Sequence, residues 1–570
     1  MILRKMQLSN YRNLNNISVS FSDDINYIVG ENNLGKSNLL YAINHVLLGK
    51  PFLEDDFSDS NTPIEIKISL RLNDYEKGIF DDLIDPLDSD YININVIQEN
   101  CDEHLKYSHA ETGELISVSD IKKSLIVINY DSIRNPKNEI NFSRKNGAGT
   151  FLNFIIQKYI NDNPDEYYLH KRKINRIEKD LSKTLNKLAY FPKFSLKVKA
   201  EENNFDLLSK LLRLTDENNI PLSKLGYGVQ YTVLIILSIL EKIIAIYKQN
   251  NITSSLQTML IFDEPEIHLH PYLQRTLIKD IIQISKGKNK DFMDLLKSLF
   301  GISNFNGQII IATHSPNIIL DTNEEYKKLI RFYIDNNITQ VLNTQDINLE
   351  FTEQKQLLMQ FEYIKEAIFS KGVIIIEGQS EYGALKYFGN TLDIDFDKNG
   401  IALIVCNGAK SCPALIKLFN KLKIPSIAII DKDQEAVKLF NGLSNIIFTD
   451  KLDFENEIIF HLSKINKTNI LIDIIHQYTS NKLDNTIKLK DTLLNKIIKK
   501  LPSSLVLNKE SYTLDEVKKD PTLCNVFLIA WYSKNKGTTL GKLIGKNLNK
   551  EILIPNCYKN ALIKLNNKIQ

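Results

Sequence analysis

The chain has 570 residues, more than one hydrophobic core usually organises, so at least two domains are expected. Lys+Arg at 71 nearly balances Asp+Glu at 69, which excludes a general electrostatic affinity for nucleic acid and leaves any such binding to local clusters. Cys101, Cys406, Cys412, Cys524 and Cys557 form no CxxC pair, so neither a zinc ribbon nor a disulfide framework is expected; no apolar leader or run of ~18 apolar residues is seen, and the reading is a cytoplasmic protein without a membrane segment.

In chain order, "ILRKMQLSNY", "NISVSF" and "NYIVG" alternate as short strands, and the third ends at a glycine loop. "NLLYAINHVLL" has helical spacing. Further strands are expected at "IEIKISLRL", "YININVIQ" and "SLIVINY". Across 151–205, "FLNFIIQKYI" and "KRKINRIEKDLSKTLNKLAYF" combine helical periodicity with dense charge, which predicts a helical insertion in the first domain. A long apolar helix, "YTVLIILSILEKIIAIY", precedes the strands "TMLIFDEP" and "GQIIIATHSP". The asparagine-rich "IDNNITQVLNTQDINLE" and the helix "TEQKQLLMQFEYIKEAIF" read as a connection. A second α/β pattern then begins at "GVIIIEGQSE" and continues through "GIALIVC" and "IPSIAIIDKDQE". Beyond about residue 464 the chain is rich in lysine and asparagine at helical spacing. The domains are therefore set at 1–365 and 366–570.

"GENNLGKS" has the P-loop pattern, between an apolar strand and a helix. Gly30, Asn33 and Gly35 would let backbone N–H groups wrap a phosphate, Lys36 would neutralise its charge, and Ser37 would hold Mg²⁺. In "MLIFDEPEIHLHP" an apolar strand ends in Asp263 and Glu264, which suit a carboxylate holding Mg²⁺ and one that polarises the attacking water. "IIIATHSP" brings His314 to the end of another buried strand, within reach of a γ-phosphate. Lys36, Asp263–Glu264, "EIHLHP" and "THSP", together with the opening "MQLSNYRNL" and Arg134 of "INYDSIRNP", resemble the ABC-type ATPase heads of the RecF and SMC kind. That resemblance implies two nucleotides sandwiched between two protomers. "LSKLGYGVQ", with Ser223, Gly226, Gly228 and Gln230, is the candidate signature loop; it departs from LSGGQ, which favours sensing ATP over rapid turnover.

The second pattern carries its own acids. Glu377 ends one buried strand and Glu381 follows four residues later; Asp431 and Asp433 end another; "LDFENEII" adds Asp453 and Glu455. Acids at the carboxyl ends of parallel strands meet at one sheet edge, where their mutual repulsion calls for cations. Hard oxygen donors suit Mg²⁺, Mn²⁺ or Ca²⁺, and two such ions would stabilise the entering and leaving oxygens of phosphodiester cleavage. The ordered series EGxSE, DxD, DxE resembles the TOPRIM domain, and an ATPase head followed by TOPRIM is the arrangement of OLD-family nucleases, shared with the nuclease subunit of the Gabija antiphage system. The resemblance implies a lysine near the end of the TOPRIM region; "WYSKNKGTTLGKLIG" offers Lys534 and Lys536, of which Lys536 is preferred.

Taken together, these readings predict an α/β protein: an ABC-type ATPase head with a helical dimerisation insertion, then a TOPRIM nuclease domain with a C-terminal helical extension. The expected activity is ATP-gated, two-metal DNA cleavage in bacterial defence. The expected assembly is a homodimer or higher homo-oligomer with a helicase-like or other defence partner. A DNA-repair ATPase of RecF type without nuclease activity, and an ATP-locked scaffold, are the rival readings.

Overall fold

Apolar runs that read as strands in the sequence pair at the centres of the sheets, because a parallel strand covered on both faces needs a continuous run where a half-exposed strand needs alternation. The computed structural model describes residues 1–80, 90–130, 147, 149–162, 171–186, 197–200, 212–247, 254–319, 325–406, 408–435, 440, 442–479, 487–499 and 505–569. The chain divides into two units, Met1–Ile347 and Asn348–Gln570.

The first unit contains two main sheets. One is antiparallel, in the order β2 (Ile17–Ser20), β1 (Ile2–Ser9), β4 (Ile64–Arg71), β5 (Tyr91–Gln98), β6 (Lys106–His109). Its strands alternate buried and exposed residues, as β4 does with Ile64, Ile66, Ile68 and Leu70 turned inward. The other is mostly parallel, in the order β13 (Ile338–Asn343), β12 (Leu329–Asp335), β3 (Ile25–Gly30), β11 (Asn304–Ala312), β10 (Ser255–Asp263), β7 (Ile126–Tyr130). Here β3 is buried throughout, and Asp263 pairs with Ala312, which brings the ends of β10, β11 and β3 to one edge. Helix Lys36–Leu48 follows β3, and its Leu39, Ile43 and Val46 share one apolar core with both sheets.

Three features refine the sequence expectation. The asparagine-rich segment read as a connection forms β13, an antiparallel hairpin with β12, and β12 in turn pairs with β3. The reversal uses Asn336 and Asn337, both with positive φ (50° and 61°), a pairing that matches strand twist in a two-residue turn. The two compact units divide at 347/348, N-terminal to the 365/366 bound read from the sequence. Helices Phe351–Met359 and Phe361–Ile368 group with the second unit, packing on helix Cys412–Lys421 and on strand Ile401–Val405 respectively, and buried Glu353 of the first pairs with Lys421 at 2.6 Å. Helix Tyr227–Tyr247 is long and apolar enough to cross a membrane, yet most of that span is buried in the protein as a core helix.

Within the expected insertion, helix Gly149–Asp162 sets Phe154 against Tyr247 and Phe300, at 6.0 and 5.4 Å between ring centroids. Helix Lys171–Asn186 lies against the hairpin of β8 (Lys197–Ala200) and β9 (Leu212–Thr215), with Ser182 Oγ accepting from Val198 N at 2.7 Å. Arg134 lies outside the described residues.

The second unit is built on a parallel sheet in the order β15 (Ile401–Val405), β14 (Gly372–Ile376), β16 (Ser426–Ile430), β17 (Ile446–Phe448). The central strands β14 and β16 are buried at every position. The lysine-rich C-terminal region is part of the same core: Trp531, Tyr532, Ile544 and Tyr558 cluster with Ile374, Ile376 and Ile429 of the sheet.

Candidate active site and nucleotide cradle

In the first unit the turn after β3 is shaped by backbone conformation. Gly30 and Gly35 have φ of 141° and 95°, and a Cβ on Gly30 would lie 2.4 Å from Phe332 O, so a side chain is excluded there. Asn33 is also left-handed, at φ 64°. Lys36, 5% exposed, turns its Nζ onto the carbonyls of Gly30 (3.1 Å) and Glu31 (2.5 Å). Burial lowers its pKa to about 8, although Glu264 and Asp263 act to raise it. Ser37 Oγ donates to Asp263 Oδ1 at 3.1 Å, and His314 Nε2 stands 3.6 Å from Glu264 Oε1. Burial, then the Lys36 charge, lowers the His314 pKa. The structure therefore brings Lys36, Ser37, Asp263, Glu264 and His314 to one edge of the parallel sheet.

Residues not singled out from sequence support this cradle. Glu266 Oε1 accepts from Thr313 Oγ1 and His314 N, both at 2.8 Å, tying the turn after β10 to the turn after β11. Arg12 pairs with Asp56 at 2.6 Å, donates to Asn38 at 2.6 Å and lies over the Tyr41 ring at 4.7 Å. Buried Arg331 on β12, opposite Val29, faces the charge of Glu31. The signature-like loop is anchored elsewhere. Ser223 lies in the turn Leu222–Lys224, Gln230 donates to Leu225 O at 2.7 Å, and Gly228 packs beside His268 O and Leu273.

In the second unit Glu377 and Asp431 directly follow neighbouring strands β14 and β16, and Asp431 N donates to a Glu377 carboxylate oxygen at 3.4 Å. Asp453 caps helix Phe454–Lys464 through Asn456 N, and Glu455 lies in the first turn. Lys536 bridges these two acids, 3.0 Å from Asp453 Oδ2 and 2.8 Å from Glu455 Oε2. Glu377, Glu381, Asp431, Glu455 and Lys536 line one cleft. Lys534 ends helix Pro521–Lys534, whereas Lys536 lies in the turn beyond it.

The expected carboxylate cluster is differentiated by its packing. Glu381 is buried beneath the turn: Oε2 accepts from Glu377 N at 3.2 Å and Gly378 N at 2.8 Å, while Oε1 accepts from Tyr558 OH at 3.3 Å. Asp433 is exposed and engaged by Gln434. Among the described residues no three His, Cys, Asp or Glu side chains form a ready-made metal-binding group. The donor set nonetheless fits a hard cation, because Asp431 Oδ1 and Glu455 Oε1 are buried without a hydrogen-bond partner from the protein.

Electrostatics separate these acids further. Burial, reinforced by Glu455 and Glu377, pushes Glu381 up to about 8; burial with Glu381 and Glu377 pushes Asp431 up to about 9. Burial also raises Glu377. Burial would raise Asp453, but Lys536 and Asn456 reverse the effect and hold it below its ordinary value. Lys536 is raised despite burial, by Glu455 and Asp453.

A close helix crossing fixes the lysine relative to the acids. A Cβ on Gly541 would lie 1.9 Å from Ser380 O, and one on Gly383 would lie 2.3 Å from Thr538 O. Helices Gln379–Thr391 and Thr538–Asn547 therefore meet backbone to backbone. Gly537 N donates to Ser380 Oγ at 3.1 Å, and Thr538 Oγ1 to Gln379 Oε1 at 3.1 Å.

Residues 1–171 and 169–319 match the family described as AAA ATPase domain. Residues 368–433 match the overcoming lysogenization defect protein-like TOPRIM domain. An OLD nuclease of Thermus scotoductus is 25% identical over 465 residues, which cover 76% of this chain and 82% of the relative. Endonuclease GajA of Bacillus cereus is 24% identical over 417 residues, 66% of this chain and 58% of the relative. The Old nuclease of Escherichia phage P2 is 22% identical over 508 residues, 79% of each chain.

Proposed function

The chain belongs to the AAA ATPase family across more than half its length and to the OLD family through its TOPRIM domain, and we propose that it is a nucleotide-regulated, divalent-metal-dependent DNA endonuclease. One observation carries this reading: Glu377 and Asp431 adjoin at neighbouring strand ends while Lys536 faces Asp453 and Glu455 across the same cleft, with two carboxylate oxygens there unpartnered. Asp431 and Glu455 would hold the cations, joined by Asp453 and Glu377. Mg²⁺ or Mn²⁺, when bound, would supply electrophilic stabilisation of the phosphodiester oxygens. Glu377, half-buried and with a raised pKa, suits a base or orienting group on the nucleophile's side. Lys536 stays cationic and would turn from its acids to the scissile phosphate. Glu381, with both oxygens engaged by the protein, is assigned to shaping the turn under Glu377.

ATP with Mg²⁺ would sit on Gly30, Asn33, Gly35, Lys36 and Ser37, with Asp263, Glu264 and His314 around the γ-phosphate. A second protomer's Ser223 and Gly228 would close the site. Because Tyr227 stands within the signature-like loop, nucleotide occupancy is assigned to gating cleavage rather than driving it. A cytoplasmic homo-oligomer in antiphage defence, with a separately encoded partner, follows from the same reading.

The test is nicking of supercoiled plasmid in Mg²⁺ or Mn²⁺ by wild type and Glu377→Ala, with and without a non-hydrolysable ATP analogue. Expected are metal-dependent nicking lost in the variant and a rate altered by the analogue. Absence of nicking by wild type in either metal would return the chain to a DNA-binding ATPase, and indifference to the analogue would remove the gating.

A further inference from the structure

Tyr558, on the C-terminal helix Asn556–Ile569, is fully buried, and its hydroxyl donates to Glu381 Oε1 at 3.3 Å. The other oxygen of Glu381 accepts the backbone amides of Glu377 and Gly378, so Tyr558 holds the carboxylate that shapes the turn carrying Glu377. Its ring also meets Phe454 edge to face at 5.5 Å, and Phe454 stands between Asp453 and Glu455. It also meets Phe388 of helix Gln379–Thr391, with ring centroids 5.9 Å apart. One side chain thus touches both acid-bearing segments, 177 residues away from Glu381 in sequence.

We propose that Tyr558 is a positioning residue of the nuclease site: its hydroxyl orients Glu381 and its ring sets the start of helix Phe454–Lys464, keeping Glu377 and Asp431 in register with Asp453 and Glu455. The assignment rests on the metal-site reading above. Without the hydroxyl, Glu381 Oε1 loses its protein donor in a buried setting, and the carboxylate turns to seek another. The Glu377–Gly378 turn then loses its fixed anchor, so the ordering of the acids must be supplied by the incoming cation.

Tyr558→Phe tests this, because it keeps both ring contacts and removes only the donor. Expected is Mn²⁺ binding weakened by about tenfold in calorimetry, the consequence of losing one hydrogen bond to a charged group. Nicking by the variant should need correspondingly more Mn²⁺ but approach the wild-type rate at saturation. Tyr558→Leu, which removes the ring as well, should lower the saturating rate too. Equal Mn²⁺ affinity in wild type and Tyr558→Phe would overturn the assignment, and so would an equal drop in saturating rate for both variants without any change in metal requirement. Wild-type Mn²⁺ binding without plasmid nicking would instead sink the nuclease reading and leave the role of Tyr558 at the cation site standing.

Discussion

Gly541→Ala should disable the second unit's cleft while leaving every acid in place. The new Cβ would start 1.9 Å from Ser380 O, whereas real contacts of this kind are essentially never below 3.0 Å. The two helices must therefore part by roughly 1 Å, since the obstacle is backbone and has no rotamer to escape into. Overpacking of this severity costs about 3 kcal/mol, which for a unit of this size lowers the melting temperature by roughly 6–12 °C. The same displacement moves the segment that begins at Gly537, stretching its 3.1 Å hydrogen bond to Ser380 and drawing Lys536 off Asp453 and Glu455. A misplacement of about 1 Å in a reacting constellation lowers rates by about 10²-fold, so nicking should fall by that factor at temperatures where the variant is still folded. Circular-dichroism melting together with plasmid nicking reads both effects. Gly383→Ala, 2.3 Å from Thr538 O, and Gly545→Ala, 2.8 Å from Tyr387 Cβ, should follow with progressively smaller losses. A Gly541→Ala protein with wild-type melting and wild-type nicking would refute the backbone-contact argument.

Lys536→Ala should reduce nicking by about 10²–10³-fold, the scale of losing one charge-stabilising group, while Lys534→Ala changes it less than about threefold; equal losses would show that Lys536 acts only through general charge. Cation binding should release a proton at pH 7, because Asp431, pushed up to about 9, is protonated there without a cation. Apparent Mn²⁺ affinity should therefore rise up to tenfold per pH unit for each proton displaced, and calorimetric enthalpies should depend on the ionisation enthalpy of the buffer. The sign for stability is opposite: the folded pKa of Asp431 lies above the unfolded value of about 4, so its ionisation costs the cation-free protein stability as pH rises from about 4 to 9. A buffer-independent enthalpy would contradict proton release.

Much of the architecture is legible in local chemistry. Strands β3, β10, β14 and β16 are apolar runs punctuated by Gly30, Asp263, Glu377 and Asp431, and burial on both faces gives such runs few alternatives. The P-loop is equally local, since its left-handed glycines and its lysine lie within one turn of chain. The hairpin of β12 and β13 was less legible because its polar outer strand is an edge that needs burial on only part of its surface. The grouping of helices Phe351–Met359 and Phe361–Ile368 with the second unit was hard to read for a related reason: the polar-looking Glu353 is buried, and its Lys421 partner is 68 residues away.

Which residues bring charge to the ends of the strands is legible locally, because strand-terminating acids and glycine loops are written in consecutive letters. Tertiary structure alone decided what each charge does. It distinguishes Glu381, spent on two amides and a tyrosine hydroxyl, from Asp431, whose buried oxygen has no protein partner, and it sets Lys536 rather than Lys534 against Asp453 and Glu455. The physical reason is that desolvation and hydrogen-bond satisfaction depend on groups brought together from distant segments, and no window of sequence contains both partners.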